Sequence, residues 1–361
     1  MLRCFTLALA LSAATTALAA EDAVVSVDLL SKPLDMMMEE AAKASGAAVP
    51  AEDASASDRA LGLFQRGFFA DARTAALEAI TLKDGAGAAM MLLATMNEGG
   101  LGMARDDEKA VSWLRKAAEA GNAEARHALA VRRLTGDGVE VDRKGATAEL
   151  RALATERPSA AFDLAQYLLA NGEAEGERWL EVAAEAGVPE AQYALGGLLM
   201  TRGSEVEAAD HERARAIDWM VRAARGGLAE AQLELGLWLV EGRATQADPE
   251  AAYRWIERAA LSGLPLARNR LAHMHRVGIG TRADPVRAAR WHALARLDGV
   301  ADGTLDDLVA TLDRAARGRA FQGLPAAAVE AVTRGAPAKP TLALARERAA
   351  EGLPGVRLGS Q

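Results

Sequence analysis

The sequence predicts an all-α fold, a right-handed α-solenoid of about seven antiparallel helix pairs, and three observations predict it. Tryptophans recur at a fixed step: Trp219, Trp255 and Trp291 follow one another at 36 residues, and Trp113 is followed 36 residues later by Glu149 in the same register. Asp106, Asp142, Asp248 and Asp284 each stand seven residues before such a slot, and Gly100, Gly136, Gly242 and Gly278 stand thirteen before. Between these marks the apolar residues follow a helical period. A helix pair recurring at that step buries its apolar face against its neighbours, so chain length sets repeat number and not core radius.

The clearest unit is residues 229–263. Ala231, Leu235 and Leu239 form one apolar stripe at i, i+4, i+8 spacing and mark a first helix. Gly242 ends it, because glycine accepts the left-handed backbone of a helix C-terminus. Asp248-Pro249 opens the second helix, the Asp as cap and the Pro in the first turn, where a missing N–H costs nothing. Ala251, Trp255 and Ala259 give the second stripe. Gly236 inside the first helix costs about 1 kcal/mol in propensity, which implies a close backbone approach, expected from the next unit.

From the start of the chain, Met1–Ala20 reads as a secretory signal: Arg3, then the apolar Phe5–Leu11, then Ala17-Leu18-Ala19 as the cleavage site near Ala19. An uncleaved anchor is the rival reading, although the apolar run is short for a span. Cys4 lies inside this leader, so a processed chain has no cysteine and no disulfide. No later run is long and apolar enough to cross a membrane. Export points to the periplasm. Residues 21–58 form an N-terminal segment and linker. Within them Pro33–Ala44 has helical character, with Met36–Met38 either packed on the array or forming a soft binding surface. Arg59–Gly85 offers a divergent first pair, since Leu77 stands 36 residues before Trp113. Repeats follow at about 86–121, 122–158, 159–187, 188–227, 228–263 and 264–299, completing a solenoid over 59–299.

The pattern loosens in the middle, across 149–213. Glu149 fills a tryptophan slot, Trp179 comes six residues early, and the repeat around Asn171-Gly172 lacks most of its connection. The next connection, Thr201–Arg213, is enlarged and carries Glu205, Glu207, Asp210 and His211. It reads either as drift in a solvated loop or as an acidic contact for a partner. Residues 300–321 predict one closing helix that caps the stack. The tail, 322–361, is of low complexity; Thr341–Ala350 is either helical or disordered until bound.

Catalytic and metal chemistry find little support in the residues. His273 and His275 are two apart, which on a helix turns them away from one another, unlike i, i+4 ligands. His211-Glu212 lacks the second His of a zinc-protease motif, and His127 and His292 stand in separate helices. Ser-x-x-Lys and Gly-x-Ser-x-Gly are absent. The glycine-rich Glu98–Gly102 lacks the Lys-Ser/Thr ending of a phosphate loop and sits between two helices. No catalytic residue, metal or cofactor is therefore expected. A formal net charge of −8, or −9 once Arg3 leaves with the signal, and the lack of a Lys/Arg block argue against nucleic acid.

The repeated wording, A-x-x-x-L-G, then G-x-G, an Asp, and A-x-x-W-x-x-x-A-A-x-x-G, resembles the Sel1-like repeat, a relative of the tetratricopeptide repeat. It is carried best by EKAVSWLRKAAEAGNAEA (108–125), ERWLEVAAEAGVPEAQYALG (177–196), AIDWMVRAARGGLAEAQLELG (216–236) and AAYRWIERAALSG (251–263), and covers about 86–299. The resemblance implies a binding scaffold and not an enzyme. In tetratricopeptide-type stacks the first helices line a concave groove. Trp238 lies in a first helix beside its stripe, with Met96, Arg132, Leu168, Leu198 and Met274 as its equivalents and Tyr167 next to Leu168. Arg132, Trp238 and, more weakly, Tyr167 are thus candidate contacts for a protein or peptide partner; the alternative for Trp238 is gap filling between repeats. The slot tryptophans are read as core. Some relatives restrain a membrane sensor kinase, and some cysteine-rich relatives have been linked to penicillin binding, but their paired cysteines are missing here. The functional expectation is a periplasmic adaptor in envelope signalling or a cell-wall process. A peptidoglycan-associated structural role and a β-lactam or cell-wall hydrolase are the alternatives.

Overall fold

A computed structural model describes residues 55–203, 209–243 and 246–333. The expected signal and most of the expected N-terminal segment, Glu205 and Glu207 of the enlarged connection, and the tail beyond Thr333 lie outside the described residues. Among those described there are 17 helices and no strands. Two compact units divide the chain, the first ending at Ala160 and the second beginning at Ala161.

The first unit holds α1 (Ala56–Gln65), α2 (Phe69–Leu82), α3 (Ala86–Gly99), α4 (Asp107–Glu119), α5 (Ala123–Thr135) and α6 (Arg143–Ala154), each packed on the next in the chain. The first pair starts three residues earlier than Arg59, because the Ser55 hydroxyl caps α1 through the Asp58 N–H at 3.0 Å. The second unit takes most of α7 (Pro158–Ala170), then α8 (Glu175–Glu185), α9 (Pro189–Gly203), α10 (Ala209–Arg225), α11 (Ala229–Glu241), α12 (Pro249–Leu261), α13 (Pro265–Val277) and α14 (Pro285–Leu297). The closing segment is not one helix. It breaks at Leu312, whose extended backbone precedes a new cap at Asp313, giving α15 (Gly303–Thr311) and α16 (Arg314–Phe321). A further helix, α17 (Ala326–Thr333), forms at the start of the expected tail, and all three pack on α14.

Within a pair the connection follows the residue marks read above. Gly100, Gly136, Gly242 and Gly278 all take left-handed backbone at the end of a first helix. The side chains of Asp106, Asp142, Asp248 and Asp284 accept from N–H groups at the start of the second helix, at 2.8–3.0 Å. Each Asp also donates its own N–H to a carbonyl nine residues earlier, that of Asn97, Arg133, Leu239 or His275, at 2.7–3.0 Å. The described residues of the enlarged connection are helical: Thr201–Gly203 extend α9, and Asp210 and His211 belong to α10.

Burial corrects the second-helix stripe by one residue. Trp113, Trp179, Trp219, Trp255 and Trp291 are half-buried, whereas the residue after each slot, Leu114, Leu150, Leu180, Met220, Ile256 or His292, is buried. In three pairs a cation at i+3 lies over the exposed indole face, Lys116 on Trp113 and Arg222 on Trp219 at 4.5 Å, and Arg258 on Trp255 at 4.9 Å. The buried residue meets the small position of the first helix. A Cβ on Gly236 would stand 2.5 Å from Ile256 Cγ1 and 3.2 Å from the Ala252 carbonyl. The close approach that Gly236 permits is thus made by its own pair and not by the next unit.

A contrast between two glycines tests this packing. Gly236→Ala is expected to lose about 1–2 kcal/mol despite better helix propensity, because the added methyl overpacks the helix contact. Gly197→Ala, whose Cβ meets nothing within 4 Å, is expected to gain about 0.5–1 kcal/mol. Urea unfolding of both variants reads the two signs.

Candidate interaction surface

The three candidate contact residues do not share one environment. Trp238 is 4% exposed, and its indole N–H donates to Glu234 Oε1 at 2.7 Å. Arg132 is 6% exposed, its guanidinium held by Glu98 at 3.0 Å and by Asp137 at 3.3 Å, with Nε buried and unpartnered. Met96, Leu168 and Met274, at equivalent positions, are also buried. Leu198, the remaining equivalent, is half-buried, and Arg132 and Trp238 offer a partner little surface. Tyr167 is half-buried, and its carbonyl accepts from the Asn171 side chain.

The open positions of the first helices in the second unit lie at i, i+4, i+7, i+11. On α9 they are Glu190, Ala194, Gly197 and Thr201; on α11, Glu230, Glu234, Leu237 and Glu241; on α13, Leu266, Arg270, His273 and Val277. Each is exposed or half-buried, and Leu266 and Val277 stand out as apolar residues 45% and 54% exposed. Tyr193 of α9 sits close enough to Glu234 and Glu230 that burial, together with these two carboxylates, pushes its hydroxyl up to about 12. Leu233 of α11 and Leu271 and Met274 of α13 belong to one core cluster together with Ala252, Ile256, Ala259 and Ala260 of α12, which lies between them in the chain. A chain lying across α9, α11 and α13 would meet small residues, then carboxylates, then apolar and basic groups.

A second polar constellation closes the last repeat. His292, buried where the other pairs have Leu, Met or Ile, approaches Asp306 Oδ1 of α15 at 2.7 Å, and Arg296 lies 3.5 Å from the same oxygen. His273 and Asn269 of α13 meet Asp302 Oδ2 at 2.7 and 3.0 Å. His275 turns away from His273, as their two-residue spacing requires, and stands 3.4 Å from the Tyr253 hydroxyl. Helix α15 is thus docked by a His–Asp contact from each helix of the last pair, together with the buried Leu305 and Val309. The sequence signal for this cluster was available: comparing the residue after each tryptophan slot would have singled out His292. Among the described residues no group of three His, Cys, Asp or Glu is placed to hold a metal.

Burial pushes His292 below its ordinary 6.5, against the pull of Asp306. Burial also opposes ionisation of Asp302, but hydrogen bonds from Asn269, His273 and the Leu305 N–H outweigh it and bring the carboxyl down from 3.8 to about 2. The His292 contribution to stability is present above 6.5 and is lost as the pH falls through 6.5 toward its lower folded value, because the unfolded chain then binds the proton more readily. The Asp302 contribution is present above 3.8 and is lost between 3.8 and about 2. His292→Leu is expected to reduce the stability lost between about pH 7.5 and about pH 5 in denaturant titrations. Asp302→Ala is expected to cost about 2 kcal/mol at neutral pH, from a lost cap and two unpaired donors.

A model of the Sel1 repeat matches residues 87–122, 123–146, 158–188, 189–228, 229–264 and 265–300, more than half of the chain. These blocks start within a residue or so of the repeats read from the sequence. No curated protein sequence matches. Among solved structures, the chain is similar to a Sel1 repeat protein from Oxalobacter formigenes, with 27% identity over 66% of this chain and 98% of that one and a TM-score of 0.58. It is also similar to a protective antigen of uropathogenic Escherichia coli that displays an SLR fold, at 21% identity over 91% of this chain and 76% of that one, TM-score 0.40. An immunity protein from Pseudomonas aeruginosa matches at 21% identity over 52% and 73% of the two chains, TM-score 0.38. Only the first of the three superposes well enough to support the fold. With its helices packed in sequential pairs and its repeats matched over most of the described residues, the chain belongs to the Sel1 repeat family.

Proposed function

We propose that this protein is a non-catalytic scaffold of the bacterial periplasm that holds a protein or peptide segment along its first-helix face. The observation that carries this reading is a contrast between positions. Buried and capping positions repeat their chemistry from pair to pair: Leu195, Leu235 and Leu271, or the Asp caps. The open first-helix strip does not. Equivalent positions read Glu190, Glu230 and Leu266, or Ala194, Glu234 and Arg270. A regular frame that varies along one open strip presents an ordered pattern of charge and apolar surface, as recognition of one particular segment requires. Tyr167, half-buried on the first helix of an earlier pair, remains a contact on this reading. Trp238 acts from beneath the strip on α11 through its bond to Glu234, whereas Arg132 ties α5 to Glu98 of α3 in the first unit and takes no part in the strip.

Periplasmic residence rests on the leader-like Met1–Ala20. Among the described residues no helix is long and apolar enough to cross a membrane. A processed N-terminus close to Ala20 in the periplasmic fraction is the expected result, and an unprocessed chain sedimenting with membranes would overturn it.

The binding surface is tested with a photo-crosslinker at Glu230, exposed on α11, and at Arg254, exposed on α12, in separate strains. Capture of one protein from position 230 and not from 254 is the expected outcome. Capture from neither position, with the protein folded and exported, would overturn the scaffold reading. Sedimentation of the pure protein with peptidoglycan would then support a cell-wall structural role, and turnover of a β-lactam or of cell-wall fragments would support a hydrolase.

A further inference from the structure

The first helix of the last repeat departs from the others in one direction. Each of the other first helices described, α1, α3, α5, α7, α9 and α11, carries at least one carboxylate, and α13 carries none. Glu124, Glu190 and Glu230 stand second in α5, α9 and α11, where a carboxylate gains about 0.3–1 kcal/mol from the helix N-terminus. The second residue of α13 is Leu266, 45% exposed. Where α11 has Glu234 and Glu241, α13 has Arg270 and Val277, the valine 54% exposed. Two sites that carry charge on α11 thus hold apolar side chains in water on α13, which stacking does not call for.

Charge changes with them. Residues 254–296 hold nine arginines against two carboxylates, Glu257 and Asp284, in a chain of net charge −8. Some of these arginines are committed: Arg268 pairs with Asp298, Arg287 with Asp284 and Arg296 with Asp306. Arg270 and Arg276 are not. Both are exposed, and neither meets an acceptor among the described residues. Asp302, which reaches α13 from the cap of α15, is already taken by Asn269 and His273. By the helical period Leu266, Arg270, His273, Arg276 and Val277 lie within a sector of about 120°.

We propose that this face of α13 binds an acidic segment of a partner protein, its carboxylates on Arg270 and Arg276 and its apolar side chains on Leu266 and Val277. The proposal rests on the reading that the first-helix strip holds a protein segment, and it names the chemistry of that segment.

The dimensions suit an extended chain. Arg270 and Arg276 are six residues apart, about 9 Å along the helix, and carboxylates three residues apart on an extended chain lie about 10 Å apart. Leu266 and Val277 are about 16 Å apart, the reach of about five extended residues. Guanidinium groups suit carboxylates because their donors form a planar fork that takes both oxygens. An exposed ion pair contributes at most about 1 kcal/mol, so apolar contact has to add to it, and Leu266 and Val277 supply that at the two ends. A lipid surface fits less well. The same strip presents Glu230 and Glu234 on α11, which would repel an anionic bilayer laid across it, whereas a narrow segment on α13 avoids them.

The test places a photo-crosslinker at Val277 of the full chain in cells and identifies the cross-linked segment by mass spectrometry. The expected segment has at least two carboxylates and an apolar side chain within about five residues. Arg270→Glu/Arg276→Glu is expected to lower its capture about tenfold, as two exposed pairs become repulsive, and Arg270→Gln/Arg276→Gln severalfold. Arg225→Glu/Arg254→Glu, exposed on α10 and α12, should leave it unchanged. Lysines in place of the segment's own carboxylates are expected to restore capture by the Arg270→Glu/Arg276→Glu protein. Unchanged melting curves show that the variants keep the fold. A neutral or basic segment, capture indifferent to reversal at 270 and 276, or no capture at 277 while position 230 still captures a protein would each overturn the proposal and leave the scaffold reading standing. Loss of capture at both positions would overturn both. Sedimentation of the purified chain with phosphatidylglycerol vesicles, abolished by the same reversal, would assign the patch to lipid and overturn the proposal.

Discussion

The rest of the structure depends on the backbone clasp that joins the helices of a pair. A left-handed glycine ends the first helix, and an aspartate then caps the second while donating its own N–H to a carbonyl nine residues back, as Asp248 does to Leu239 and Asp284 to His275. One such cap is worth about 1 kcal/mol, so its importance lies in geometry more than in energy. It fixes the register of the second helix against the first, and this register brings Ile256 onto Gly236. A clasp one residue longer would rotate the second helix by about 100° and bring a half-buried tryptophan where an aliphatic side chain now packs.

Repeats without this clasp show what replaces it. The shortened pair has no side-chain cap on α8, and a Cβ on Gly176 would stand 2.8 Å from Leu169, so glycine there lets the two helices meet directly after the turn. At Glu149, which fills a tryptophan slot, the carboxylate accepts from Arg126 Nε at 2.7 Å and ties α6 to the helix before it. Arg126 belongs to a column of its own. Gln192, Gln232 and Arg268, its equivalents, each donate to a carbonyl eight residues earlier, that of Ala184, Ala224 or Ala260, at 3.0–3.3 Å. These bonds satisfy acceptors that the end of the preceding second helix leaves open. Successive pairs are therefore stitched by polar contacts at their ends and by aliphatic packing between them.

Function, on the reading proposed here, is a consequence of how little of this frame is free to vary. Caps, glycine turns and buried columns are committed to stacking. What varies without a cost in packing is the open strip, and there the chain changes from small residues on α9 to carboxylates on α11 to apolar and basic groups on α13. The polar docking of α15 through His292 and His273 ends the array differently from its interior, where aliphatic residues fill the same position.

The sequence by itself determined the helix pairs, their order and their connections, because these follow from local rules: a helical apolar period, a glycine that tolerates positive φ, an aspartate that caps. It also marked the first and second helix of each pair. It did not determine which side of a helix faces inward to within one residue, since tryptophan is large enough to read as core while only half of it is covered. For the same reason it misplaced Arg132 and Trp238: an arginine and a tryptophan beside an apolar stripe look like surface groups until Glu98 and Glu234 are found beside them. Glu234 stands one helical turn before Trp238 on the same helix, whereas Glu98 reaches Arg132 from another helix, and the burial of both pairs is decided by packing. The break at Leu312, the pairing of His292 with Asp306 and the open strip of α11 and α13 were decided in the same way, because burial belongs to the packed chain and not to any one residue in it.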